Sequence, residues 1–231
     1  GLDPAVVAAA RLGLSMLVFA PCACRARLTL PMAALLLLLG GVQFGLMYVL
    51  YIAAFVHLPS HLVALFTIFT PLYVALLAGL EEPHRLRRTL TAALLAVAGT
   101  AVLAWRAPRA ARLWTGFALV QGSNICFALG QVGYRRLMRR AEGLSDAQAV
   151  AWMYAGAVMT VLPFAAAGRR ARRFAPSLPQ LAVLVYLGVV ASGLCFWLWN
   201  RGARRARPGT LAVMNNAKIP LGVAVSLLLF K

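Results

Sequence analysis

Residues 58–82, LPSHLVALFTIFTPLYVALLAGLEE, and residues 207–231, RPGTLAVMNNAKIPLGVAVSLLLFK, are two versions of one pattern. Pro59 falls on Pro208, Leu62 on Leu211, Pro71 on Pro220, Leu72 on Leu221 and Val74 on Val223, each 149 positions later. Upstream, Gly40, Gly45 and Leu46 fall on Gly188, Gly193 and Leu194 at a spacing of 148, one residue short of the first register. Two segments on each side of the chain are therefore repeated, in the same order.

What kind of segments these are follows from composition. The chain is 62% hydrophobic and only 12% charged, outside the range of a soluble globular domain. A helix needs about 17–25 apolar residues to cross a hydrocarbon core. Eight runs reach that length: 4–21, 31–53, 59–80, 88–105, 114–134, 147–167, 180–200 and 208–230. In this count the second run matches the seventh and the third matches the eighth. Each pair is five crossings apart, an odd number, so matched helices traverse the membrane in opposite directions. The expected fold is all-α and polytopic: an inverted repeat of five-helix units of the kind found in secondary transporters. Eight of ten expected helices are in the sequence. Residues 1–105 hold helices two to five of the first unit, and residues 114–231 hold helices one to four of the second. The start at Gly1, with no signal peptide visible, is expected to lie inside a longer chain.

The net charge of +18 would suggest nucleic acid in a soluble protein, but here nearly all the arginines sit in short links between apolar runs. Thirteen lie on the side of links 22–30, 81–87, 135–146 and 201–207, and eight cations lie on the other. The positive-inside bias makes the richer side cytoplasmic. No nucleic-acid partner is expected; the bilayer is. Cys22, Cys24, Cys126 and Cys195 do not form a disulfide framework. His57 and His61 are four apart, but Pro59 between them spoils a helical metal pair, and neither a metal nor a cofactor is expected.

Two cations remain inside spans, Arg11 and Lys218. An ionisable group at membrane depth is costly and by default marks function. Arg11 lies about two turns into its span, and its preferred reading is an anchor that snorkels to the outer interface. Lys218 lies near the midplane, where snorkelling is hardest. Asn215, Lys218, Gly222 and Ser226 fall within about 80° on a helix, a stripe of polar and small residues, with Asn216 beside it. Pro220 removes a backbone donor there, and Pro71 does the same in the matched segment, so both are expected to break their helices. The matched stripe carries Phe66, Phe69 and Tyr73, expected as an aromatic wall. Gln121, Asn124 and Gln131 share one face of the fifth run, and Gln43 lies in the second; these amides read equally well as solute ligands or as interhelical hydrogen bonds.

The stretches AAARLGLSMLVFAP (8–21), FGLMYVLYIAAFVHLPSHLVALFTIFTPLYVALLAGLEEP (44–83), FALGQVGYRR (127–136) and LAVMNNAKIPLGVAVSLLLF (211–230) resemble the drug/metabolite transporter superfamily, specifically its EamA-type ten-helix exporters. The resemblance implies cytoplasmic termini, a plasma-membrane (bacterial inner-membrane) location, and export of amino acids or related carboxylate-bearing metabolites by alternating access, commonly in exchange for a proton or another solute. A cation beside aromatics suits a solute with a carboxylate and an apolar body. All five acids, Asp3, Glu81, Glu82, Glu142 and Asp146, lie at span ends, so within these residues no midplane carboxylate can carry a proton. The alternatives are an uncoupled facilitator, a multidrug or cation exporter, or a non-transporting membrane scaffold or sensor. An enzyme is not expected: there is no HExxH, no GxSxG and no aspartate inside a span.

Overall fold

The computed structural model describes residues 3–26, 28–79, 111–167 and 176–206, together with 210, 211, 214, 215, 217 and 221. Six long helices fill them: α1 Pro4–Ala23, α2 Leu30–Ala54, α3 Ser60–Gly79, α4 Ala111–Arg140, α5 Asp146–Ala167 and α6 Leu178–Arg205. They correspond to the first, second, third, fifth, sixth and seventh apolar runs. The fourth run, and most of the eighth with Asn216, Lys218, Pro220, Gly222 and Ser226, lie outside the described residues. Five of the six are long and apolar enough to cross a membrane. The sixth, α4, has the length at 30 residues but is diluted by Gln121, Asn124 and Gln131, all of which it buries. Large apolar side chains such as Leu17, Leu38, Met159 and Leu198 are exposed, as expected where lipid is the solvent.

Helix starts follow from local chemistry. Pro4 opens α1 behind Asp3, whose carboxylate accepts the Ala5 N–H at 2.9 Å. Pro31 and Pro179 occupy the first turns of α2 and α6, where a missing N–H costs nothing. Ser177 and Gln180 cap α6 reciprocally.

The repeat is visible in packing. Gly40 of α2 meets α5 so closely that a Cβ there would lie 1.8 Å from the Met153 carbonyl oxygen. Its counterpart, Gly188 of α6, meets α1, where a Cβ would lie 2.7 Å from Leu14 Cβ. Helix α2 against α5 thus repeats as α6 against α1, which an inverted pair of units requires. Small residues allow such crossings in a membrane, where burial from water does not drive helices together. Both glycine-bearing helices widen to π-helical geometry at matched places, Gly41–Leu46 in α2 and Leu187–Leu194 in α6. Such widenings shift the backbone ladder and are frequent at functional sites.

Candidate solute site

Among the described residues, three polar centres lie inside the helices. The first joins α3 to α4. Helix α3 tightens to a 3₁₀ turn at Thr67–Phe69 before resuming at Thr70–Gly79. Pro71 lacks the N–H that would have reached the Thr67 carbonyl, and the Thr70 hydroxyl lies 2.8 Å from that oxygen. The break also frees the Phe66 carbonyl, which accepts from Asn124 Nδ2 at 2.9 Å and Gln121 Nε2 at 3.4 Å. Asn124 Nδ2 further donates to Gln121 Oε1 at 3.1 Å, and the Tyr73 hydroxyl donates to the same oxygen at 3.1 Å. Asn124 Oδ1 lies 2.9 Å from the Thr70 hydroxyl, which has one proton to share between this oxygen and Thr67. Gln121, Asn124 and Tyr73 therefore come together, but around the broken backbone of α3.

Phe66 and Phe69, expected with Tyr73 on one stripe, form a cluster against which Tyr73 packs. Both rings are buried edge-on against Phe117, at centroid distances of 5.0 and 6.0 Å.

The second centre joins α2, α4 and α6. Gln43 Nε2 donates to Asn200 Oδ1 at 3.0 Å, and both side chains are fully buried. Gly130 of α4 allows this, since a Cβ there would lie 2.1 Å from Gln43 Cβ. Gln43 Oε1, Asn200 Nδ2, Asn215 Nδ2 and the Trp199 indole nitrogen are buried and find no hydrogen-bond partner among the described residues. Unpaired buried groups of this kind cost free energy and need a reason. Trp199 and Asn215, with Thr70, Pro71 and Gln131, line a small, partly open pocket. A second small cleft is lined by Gln131, Val74 and Leu211 with Arg135, Arg136 and Arg139. Its arginines belong to the link assigned to the cytoplasm.

The third centre joins α1, α2 and α6 at Arg11. Its Nη2 donates to the Tyr48 hydroxyl at 2.8 Å and to Ser192 Oγ at 3.0 Å, and its Nε to Ser192 Oγ at 3.2 Å. The guanidinium also lies over the Tyr48 ring, 4.8 Å from its centroid. Arg11 is thus turned between helices. Its partners stand 37 and 181 positions away in the chain, so no local pattern could reveal them. Tyr154 of α5 completes the centre by donating to the Ser192 and Gly193 carbonyls of the widened turn. Asn200 was also not evident from sequence, because the apolar run stops there while α6 continues to Arg205.

A bundle of apolar helices with buried, unpaired amides and a cation at depth defines a multi-pass membrane transporter. More narrowly, the chain belongs to the EamA-like transporter family, whose sequence profile matches residues 114–231. It is 39% identical over 219 residues to proteins named biotin transporter in Escherichia coli and Salmonella typhimurium, covering 94% of this chain and 72% of theirs. A protein named probable biotin transporter in Pseudomonas aeruginosa is 37% identical over 195 residues, covering 84% of this chain and 68% of its own. A solved crystal structure aligns with a TM-score of 0.67 at 18% identity, over 98% of this chain and 79% of its own, and shares the fold. The protein is a secondary transporter of a small-molecule solute in the bacterial inner membrane, and not an enzyme. Amino-acid export, expected from the resemblance, finds no support among these relatives, which are named for biotin.

Proposed function

We propose that this protein transports biotin or a close analogue, a solute with an apolar bicyclic body, a ureido head and a carboxylate tail. The observation that carries the reading is the 39% identity to biotin transporters along nearly the whole chain. The interior chemistry supports it. Gln43 Oε1 offers an acceptor, while Asn200 Nδ2, Asn215 Nδ2 and the Trp199 N–H offer donors, the complement of a ureido group that carries both N–H and C=O. Exchanging the two amide ends of the Gln43–Asn200 pair leaves one donor and one acceptor over in either case. The cleft beside Arg135, Arg136 and Arg139 attracts an anion to the entrance. A cation at membrane depth, Arg11 or Lys218, then holds the carboxylate.

In this reading Gln43, Asn215, Gln131 and Trp199 face the solute. Gln121, Asn124, Tyr73 and Thr70 hold the break in α3 as a fixed joint, around which the units rock in alternating access. Phe66 and Phe69 pack that joint from outside. The test is counterflow in proteoliposomes: vesicles loaded with unlabelled biotin should accumulate labelled biotin, and external leucine or lysine should not compete. Exchange of amino acids without exchange of biotin overturns the proposal.

A further inference from the structure

We propose that Arg11, presented by Tyr48 and Ser192, is the anchor for the solute carboxylate; this rests on the reading of a carboxylate-bearing solute given above. The argument is an accounting of hydrogens. Arg11 carries five N–H groups, and the two hydroxyls add two O–H groups. The only acceptors these side chains have among themselves are the two hydroxyl oxygens, Tyr48 Oη and Ser192 Oγ, which stand 3.2 Å apart. Arg11 spends Nε and Nη2 on them. The two N–H groups of Nη1 find no acceptor among the described residues. If Tyr48 donates to Ser192, the Ser192 proton is left over; if Ser192 donates to Tyr48, the Tyr48 proton is. Either way the centre is rich in donors, poor in acceptors and carries a full positive charge, and no acid stands within ion-pairing distance among the described residues.

A carboxylate answers each deficit at once. One oxygen accepts from Nη1, the other accepts the spare hydroxyl proton, and the charge is neutralised. Arginine suits this role better than a lysine because its planar fork fixes the acceptor's orientation.

Tyr154 spends its proton on the Ser192 and Gly193 carbonyls, which the π-helical segment of α6 leaves available, so that it and Arg11 converge on Ser192 from two helices.

The test uses the full protein, purified in detergent, with biotin and its uncharged amide, biotinamide, as probes. The readout is thermal stabilisation by each ligand, repeated across a panel of monocarboxylates and their amides. Wild type should prefer each bound acid to its amide. Arg11→Gln should weaken the acid on the order of 10- to 100-fold, the range of a charge-assisted hydrogen bond, and leave the amide unchanged, so that the preference collapses. Arg11→Lys should restore part of it, and Tyr48→Phe and Ser192→Ala should each reduce it. The anchor is overturned if wild type shows no preference for acids, if Arg11→Gln preserves the preference, or if it weakens acid and amide alike. Should another monocarboxylate bind with Arg11-dependent preference while biotin does not, the anchor stands and the biotin reading falls.

Discussion

Replacing Gly156 by alanine adds one methyl group, and the structure says that α2 and α5 cannot absorb it. The new Cβ would stand 1.9 Å from the Leu37 carbonyl oxygen and 2.6 Å from its carbon. Carbon approaches a carbonyl oxygen to about 3.3 Å at closest, so the crossing must open by about 1.4 Å. The obstacle is helix backbone, which cannot swing aside as a side-chain tip would. A gap of about 0.5–1 Å already forfeits a quarter to a half of the dispersion energy between facing atoms. Leu36, Met153 and Val150, all fully buried, belong to the cluster at this crossing. With roughly 20 facing contacts each, at about 0.1–0.2 kcal/mol per contact, the loss comes to about 2–4 kcal/mol. That corresponds to a fall in Tm of about 5–15 °C for a chain of this size. Gly13→Ala and Gly202→Ala are the internal controls, because a Cβ at either position meets nothing within 4 Å. Unfolding in detergent, followed by tryptophan fluorescence, should give both controls the wild-type Tm or slightly above it, since alanine is the better helix former. Equal melting of Gly156→Ala and the two controls would refute the close crossing, and with it the packing on which the inverted arrangement rests.

Asn124→Ala should lower stability by about 1–3 kcal/mol, because it removes up to three bonds around the α3 break, each worth roughly 0.6–1.7 kcal/mol between membrane helices. Tyr73→Phe, which removes one bond, should cost less than about 1 kcal/mol by the same melting assay, and a larger effect for it than for Asn124→Ala would contradict the network. Asp146→Asn removes the charge that faces Arg204 at 2.8 Å and that also accepts from Tyr134. The pair is partly exposed, so the loss should be about 1 kcal/mol or less and should shrink in 1 M salt; a loss independent of salt would argue against it. Cys24, exposed at the end of α1 beside Arg25, should react with a membrane-impermeant maleimide in inside-out vesicles and not in intact cells, and the reverse pattern would invert the topology.

Much of this fold was legible because a membrane imposes so few solutions. Run length alone located six helices to within a few residues, apart from α4 and α6, which extend past their apolar cores into Arg140 and Arg205. The spacing of Gly40 to Gly188 was legible as a repeat, and the structure adds why those glycines occur there: each lets a helix approach its neighbour's backbone or Cβ. The faces of the helices were less legible. A wheel places Phe66, Phe69 and Tyr73 on one stripe, and they pack in one cluster, but nothing in the sequence marks that this cluster closes over Phe117 of α4. The π-helical segments of α2 and α6 likewise have no propensity signature beyond their glycines. Arg11 illustrates the deepest limit: counted along its own span it looks like a snorkelling anchor, whereas its environment is set by a tyrosine and a serine from two other helices.

What the two units share and what they do not divides the chemistry of the protein. Shared positions are glycines at crossings and prolines at breaks, residues whose work is done by backbone geometry and which any inverted transporter of this build needs twice. Unshared positions are side chains that present charge or donors: Arg11 opposite Met153, and Lys218 opposite Phe69. A solute with a carboxylate at one end and a neutral head at the other has no twofold symmetry, so a pseudo-symmetric cavity can orient it only where the symmetry is broken. One cation in each unit then poses a definite question. If both held the carboxylate, alternating access could hand it from one unit to the other; if Arg11 alone holds it, the solute stays with the first unit while the second moves past. Comparing Lys218→Gln with Arg11→Gln in binding and in counterflow separates the two. Loss of transport with binding and acid preference intact in Lys218→Gln makes the lysine part of the movement, whereas loss of binding in both variants makes the two cations a shared clamp.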